Sequence, residues 1–413
     1  MWERWIQAGA LSTLMLTGCG DDTGGDGNAG GTAGTGNAAG TAGTGNAGGT
    51  AGTGGGGGSA GVDLPAETTR CGSKLFETPV NPAARGPWPV GARTLDIGGV
   101  ATEVWYPAEY ASDAGVAQVT YDIRLWLPEA DQAKIPDADN TPQLCDCYRD
   151  LPLDTQRGPY PVVIFMHGTA AFRTQSLSQM THWASRGFVV LSQDHKGLYL
   201  GDLLQLKFGA DLPGDTNALL AALDSGAAPL SFLTDHIDMT RVGMAGHSAG
   251  GGGIAEFGDT PGVKVLIPMA AGGVSAGAAL ESTLVMGALD DGVVAFSKQQ
   301  DGYATTPPTK RLIGLANAGH LAFSDLCGLS NSKGQDLIEV AQAHGVTNAG
   351  LATALWDGCA DGQLPQAEAT EIVNYATSAA LEETLLCSET AADELSQATS
   401  RYSQISVYDE QLK

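Results

Sequence analysis

From Pro161 onward the chain alternates short, continuously apolar runs with longer amphipathic stretches. "PVVIFMHG" from Pro161, "FVVLSQDH" from Phe188, "RVGMAGHS" from Arg241 and "VKVLIPMA" from Val263 each read as a strand buried on both faces. "STLVMGALDD" from Ser282 and "KRLIGLANAGH" from Lys310 extend the series. Helical spacing predicts helices at 177–186, at 216–223 and in "EATEIVNYATSAALEETLLC" from Glu368. Before them, "RTLDIGGVATEVWYPA" (93–108) predicts two antiparallel strands joined at Gly98-Gly99. Apolar strands separated by helices imply a mostly parallel sheet covered on both faces. The expected fold is therefore doubly wound α/β, with antiparallel strands at its N-terminal side.

The N-terminal part departs from this pattern. "MWERWIQAGALSTLMLTGC" has a single basic residue, an apolar run too short to span a bilayer comfortably, and then Leu16-Thr17-Gly18-Cys19. It reads as a signal peptide over 1–18 whose ending resembles the bacterial lipobox, so Cys19 is the expected lipid anchor. Residues 19–62 are almost entirely Gly, Ala, Thr and Asn, with an internal repeat beginning at Thr32, Thr41 and Thr50. With no apolar surface to offset its ordering entropy, such a tract is expected to be a disordered tether. One large α/β domain over 63–413 remains.

Charge and cysteine content narrow the setting. A formal net charge of -25 leaves no basic stripe for phosphates and argues against nucleic acid. Membrane contact is expected through the lipid alone. Beyond Cys19 there are six cysteines, at 71, 145, 147, 327, 359 and 387, an even number that suggests up to three disulfides of open connectivity. Cys145-x-Cys147 lacks the spacing of a zinc knuckle, so no metal is expected. No Gly-rich phosphate loop follows a strand, so no nucleotide cofactor is expected either.

The chemistry is carried by G-x-S-x-G, which occurs at Ser59, Ser248 and Ser275 in a chain with 58 glycines. Ser59 lies in the tether, without fixed neighbours. Ser248 follows an apolar strand and precedes small residues that can open a helix, the context of a nucleophile elbow. An α/β-hydrolase also requires one further strand, then an acid strand, then a histidine strand. Counted from Ser248, the series is complete; counted from Ser275, one strand is missing. Asp290 and Asp291 end the acid strand, and Asp291 is favoured because Gly292 follows it and lets the chain turn. His320 lies just beyond the next strand and is the expected base. The backbone N–H groups of Ala249 and of Thr169, in "MHGTAAF", are the expected oxyanion donors. His182 and His344 read as surface or packing residues, His195 and His236 as turn residues, and His247 as a residue shaping the site. Asp194, Asp235 and Asp238 read as turn formers.

Together "GPWPVGARTLDI", "VWYPAE", "GPYPVVIFMHGTAAFRTQS", "ASRGFVVLSQDHKG", "RVGMAGHSAGG", "LVMGALDDGVV" and "AGHLAFSDLC" resemble the lidless α/β-hydrolases grouped as predicted dienelactone hydrolases. That group is similar to platelet-activating-factor acetylhydrolases, chlorophyllases and cutinase-like polyester hydrolases. The resemblance implies an α/β-hydrolase fold and a Ser248, His320, Asp291 triad, but not a substrate. Dienelactone hydrolase itself has a cysteine where this chain has Ser248. Two long excursions, 113–157 and 328–366, depart from the group. The interval after the strand that follows the elbow, 271–281, has little room for a lid, so an open pocket is expected. The expectation is an exported, monomeric carboxylic-ester hydrolase, lipid-anchored to the bacterial cell envelope and working through an acyl-enzyme on a soluble or surface-presented ester. A peptidase or amidase on the same triad and a non-catalytic surface-binding lipoprotein are the alternatives.

Overall fold

The computed structural model describes residues 64–413; the expected signal, Cys19, Ser59 and the whole of the tether lie outside them. Within the described residues a ten-stranded sheet organises the chain. Its strands are β1 (Val90–Ile97), β2 (Val100–Pro107), β3 (Tyr148–Arg149), β4 (Tyr160–Met166), β5 (Val189–Gln193), β6 (Ile237–His247), β7 (Val263–Met269), β8 (Ser282–Ala288), β9 (Lys310–Leu315) and β10 (Ile405–Gln411). The order across the sheet is β10-β9-β8-β7-β6-β4-β5-β2-β1-β3. From β5 to β9 every neighbouring pair is parallel, while β2 and β10 flank this block antiparallel. This is the α/β-hydrolase arrangement expected from the strand pattern.

The apolar runs behave as their composition dictates. Every residue of β4, β5, β8 and β9 is buried, because helices cover both faces. Among the helices are α1 (Leu177–Ser185), α2 (Leu200–Leu204), α3 (Leu212–Ser225), α4 (Ala249–Gly253), α5 (Phe296–Thr305), α6 (Leu337–Ala343) and α7 (Gln366–Leu385). Long α7 is buried from Ile372 to Glu382 and contacts α1 and β6, β7 and β8. Arg186, at the end of α1, pairs with Glu382 of α7 and also donates to the carbonyls of Pro79 and Ala84. A buried guanidinium needs such partners, and here they tie the N-terminal segment to the helical layer. The six cysteines pair as Cys71–Cys387, Cys145–Cys147 and Cys327–Cys359.

The chain runs from β4 outward to β5 and then returns to the other side of β4 as β6. Such a reversal opens a crevice at the carboxyl ends of the strands, where ligands bind in open α/β sheets. Ser248 follows β6 and Thr169 lies in the turn after β4, so both stand at that crevice.

Candidate active site

The turn at Ser248 is built by sterics. Ser248 has φ 53° and ψ -118°, a conformation that costs a residue with a side chain about 1–3 kcal/mol and persists only when its surroundings enforce it. The glycines on either side are required for close approach. A Cβ on Gly246 would lie 2.5 Å from the backbone of Gly250, and one on Gly250 would lie 2.2 Å from the carbonyl oxygen of Met166. The Ser248 N–H donates to Met269 O at 2.8 Å, fixing the turn to the neighbouring strand. Ser275 stands apart. It is exposed on the loop after β7, and its N–H donates to Ala255 O.

Ser248 and His320 line one cavity of about 100 Å³ together with Thr169, Gly168 and His247. Nδ1 of His320 lies 2.9 Å from Oδ2 of Asp291. The other carboxylate oxygen of Asp291 accepts the N–H groups of Val293 and Val294 at 2.8 and 2.7 Å. Asp291 is buried and its neighbour Asp290 exposed; both lie beyond the end of β8, where the chain turns after Ala288. Among the described residues, the backbone N–H groups of Thr169 and Ala249 have no protein acceptor. That of Ala249 opens helix α4, where the first amides are left free.

Two residues that the sequence reading passed over hold this geometry. The Oε1 of Gln175 accepts the Gly168 N–H at 2.8 Å, and its amide nitrogen reaches Nδ1 of His247 at 2.6 Å. Nε2 of His247 in turn reaches the carbonyl of His320 at 2.9 Å. With the Gln175 amide donating and His247 protonated on Nε2, one chain of hydrogen bonds joins the loop after β4, the elbow and the histidine loop. Asp357 performs a similar task from the second excursion. Its Oδ2 accepts the N–H groups of His320 at 2.8 Å and Gly292 at 3.0 Å, so it binds the acid loop to the histidine loop. No local pattern marks either residue, because their partners are remote in sequence.

Both long excursions contribute walls to the pocket. Ile123, Leu127 and Ile135 from the first excursion and Val340, Val346 and Trp356 from the second line it. Trp126 roots the first excursion: its ring stacks on Phe172 with centroids 4.4 Å apart, and its Nε1–H donates to Asp194 at 2.9 Å. Asp194 also pairs with Arg173, so it anchors the pocket wall rather than merely forming a turn. The excursions are then fastened to each other. Asp131 accepts both the N–H and the hydroxyl of Thr347, while Asp139 pairs with Lys333 at 2.5 Å and His344 at 3.0 Å. His344 is thus part of the fastening between the excursions. The interval 271–281 is indeed short, and these walls come from two other segments that only the folded chain brings together.

Burial controls the charge of the inner histidines. Desolvation, reinforced by the adjacent His320, lowers the pKa of His247 to about 3. Desolvation likewise lowers His167 to about 3 and His182 to about 4. These groups are neutral in the folded chain but protonate near ~6.5 when unfolded. A lowered folded pKa means that stability is complete above the unfolded value and is lost as pH falls below it. Asp325, raised to about 6 by desolvation, and Asp194, also raised by desolvation, act in the opposite sense, because the folded state protonates them first. The unfolded state therefore binds a net excess of protons, and stability should fall by roughly 2 kcal/mol per pH unit between about pH 6 and 4.5. Chemical-denaturation midpoints across that range measure this slope, and a flat profile would contradict it.

No curated protein matches the chain. Residues 75–198, which include the loop after β4 but end before Ser248, match the family model for platelet-activating factor acetylhydrolase, isoform II, and the fold is that of the α/β-hydrolases.

Proposed function

We propose that the protein is a serine hydrolase of carboxylic esters that works through an acyl-enzyme. The observation that carries this reading is that Ser248 and His320 share one cavity wall while Asp291 receives the far nitrogen of His320. With Nδ1–H donating to Asp291, Nε2 of His320 is free to take the Ser248 proton as Oγ attacks the ester carbonyl. The carbonyl oxygen gains negative charge and is met by the N–H groups of Thr169 and Ala249. Collapse of the tetrahedral intermediate breaks the ester C–O bond, and His320 returns the proton to the departing alcohol. Water, deprotonated by the same imidazole, then releases the acid and restores Ser248.

The neutral state of His247 serves this cycle. Its ring centroid is 4.7 Å from that of His320, so a charge there would oppose formation of the His320 imidazolium. Localisation is part of the same proposal: export, with Cys19 as the lipid anchor, rests on the N-terminal sequence.

A fluorophosphonate probe and a panel of chromogenic esters and amides test the reading. The phosphonate should label Ser248 and not Ser275, and esters should be cleaved in preference to matched anilides. Label on the peptide carrying Ser275, or no label and no hydrolysis, would defeat it. Preferential anilide cleavage with label on Ser248 would make the protein an amidase on the same triad.

A further inference from the structure

The two excursions do more than cover the site. Leu127 and Ile135 of the first, Leu204 of α2, and Val340, Val346 and Ala349 of the second form an apolar cluster separate from the main core. All six also line the cavity that contains Ser248 and His320. Small apolar clusters under long loops are common, but this one is turned toward the space beside the reacting groups. An apolar cavity favours an apolar occupant, since each methylene entering it leaves water.

The charged group on the same wall is paired within the protein, and among its polar groups the neutral hydroxyl of Thr141 is left without a protein partner. The Arg124 guanidinium donates to Asp122, Asp137 and the carbonyl of Ile135. Asn140 donates to Asp122, and Nε1–H of Trp356 donates to Asp336. No side chain here offers a free charge to a carboxylate, phosphate or ammonium group.

We infer that this cavity is a binding site for an uncharged, unbranched hydrocarbon chain of the ester, held between the excursions while its carbonyl lies at Ser248. The inference rests on the ester-hydrolase reading and adds the substrate class to it. The chain can belong to the acyl group or to the alcohol, and two substrate series separate these sources. One is p-nitrophenyl acetate to octanoate; the other is methyl to octyl acetate.

In one of the two series kcat/KM should rise by about fourfold per methylene, the factor that one buried CH2 supplies, and so by about 250-fold from acetate to hexanoate or about a thousandfold from the methyl to the hexyl ester. Ala341, on α6, lines the cavity. Ala341→Trp should fill that space and reduce the ratio of six-carbon to shortest-chain kcat/KM from about 250-fold or more to below about tenfold. Thermal unfolding reports whether the variant is folded; if it is not, the wild-type series alone decides. Two flat series on protein that hydrolyses p-nitrophenyl acetate would overturn the chain site and leave the ester-hydrolase reading intact. Absence of hydrolysis of every ester, with no phosphonate on Ser248, would overturn both.

Discussion

Ser248→Ala is expected to lower ester turnover by about a millionfold, the order of loss when the nucleophile of a serine triad is removed from an otherwise intact site. The size follows from the path rather than from a lost contact. Without Oγ there is no covalent intermediate, and His320 has no hydroxyl to activate. What remains is direct attack by water with help from the Thr169 and Ala249 amides and from binding, which leaves a residual acceleration of about a thousandfold to ten-thousandfold over water. Folding should survive, because alanine at 248 keeps the backbone N–H that donates to Met269. Ser275→Ala should leave turnover within about twofold, since Ser275 is exposed and outside the cavity. Initial rates on p-nitrophenyl acetate, at matched melting temperature, decide the matter. Loss in Ser275→Ala with retention in Ser248→Ala would place the nucleophile on the wrong loop.

Asp291→Asn should cost about ten-thousandfold in turnover, whereas Asp290→Asn should cost less than about tenfold. Asp291 Oδ1 is held by the N–H groups of Val293 and Val294, so an amide at this position keeps its oxygen there and turns its nitrogen toward His320. That nitrogen donates to Nδ1 and drives the imidazole proton to Nε2. The histidine then cannot accept the serine proton, although the shape of the site is unchanged. Asp290 is exposed, and its contact with the histidine loop is the backbone N–H donating to Ala318 O, which the substitution keeps. Rates measured at equal folded fraction test the ranking; the reverse order would make Asp290 the acid.

Much of this site was legible because its parts obey short-range rules. A residue is marked as strand by the apolar run around it, and the elbow is marked by glycines that sterics require two positions before and after Ser248. The structure has Asp291 rather than Asp290 buried against His320, but strand alternation does not explain it: β8 ends at Ala288, and the turn that follows decides which carboxylate faces the histidine. The disulfide partners were not legible, because pairing depends on distances across the fold: Cys71 and Cys387 are 316 residues apart. The edge strand β10 went unread for a related reason. Its "ISVYDEQ" is half exposed and polar, and it becomes a strand by pairing with β9.

The sequence by itself determined the buried strands, their order along the chain, and which serine, aspartate and histidine stand at strand ends. Each of these is decided by residues within a few positions of one another. Only the tertiary structure decided what surrounds them. Gln175 acquires its role from Gly168 and His247, and Asp357 from Gly292 and His320. The walls of the pocket come from two excursions with no strong period of their own. They hold a shape because Leu127 and Ile135 bury against Val340 and Val346, and because Asp131 and Asp139 find partners across the gap. Contacts between remote segments leave no periodic trace in a single chain, since either half of such a contact is stable only when the other is in place.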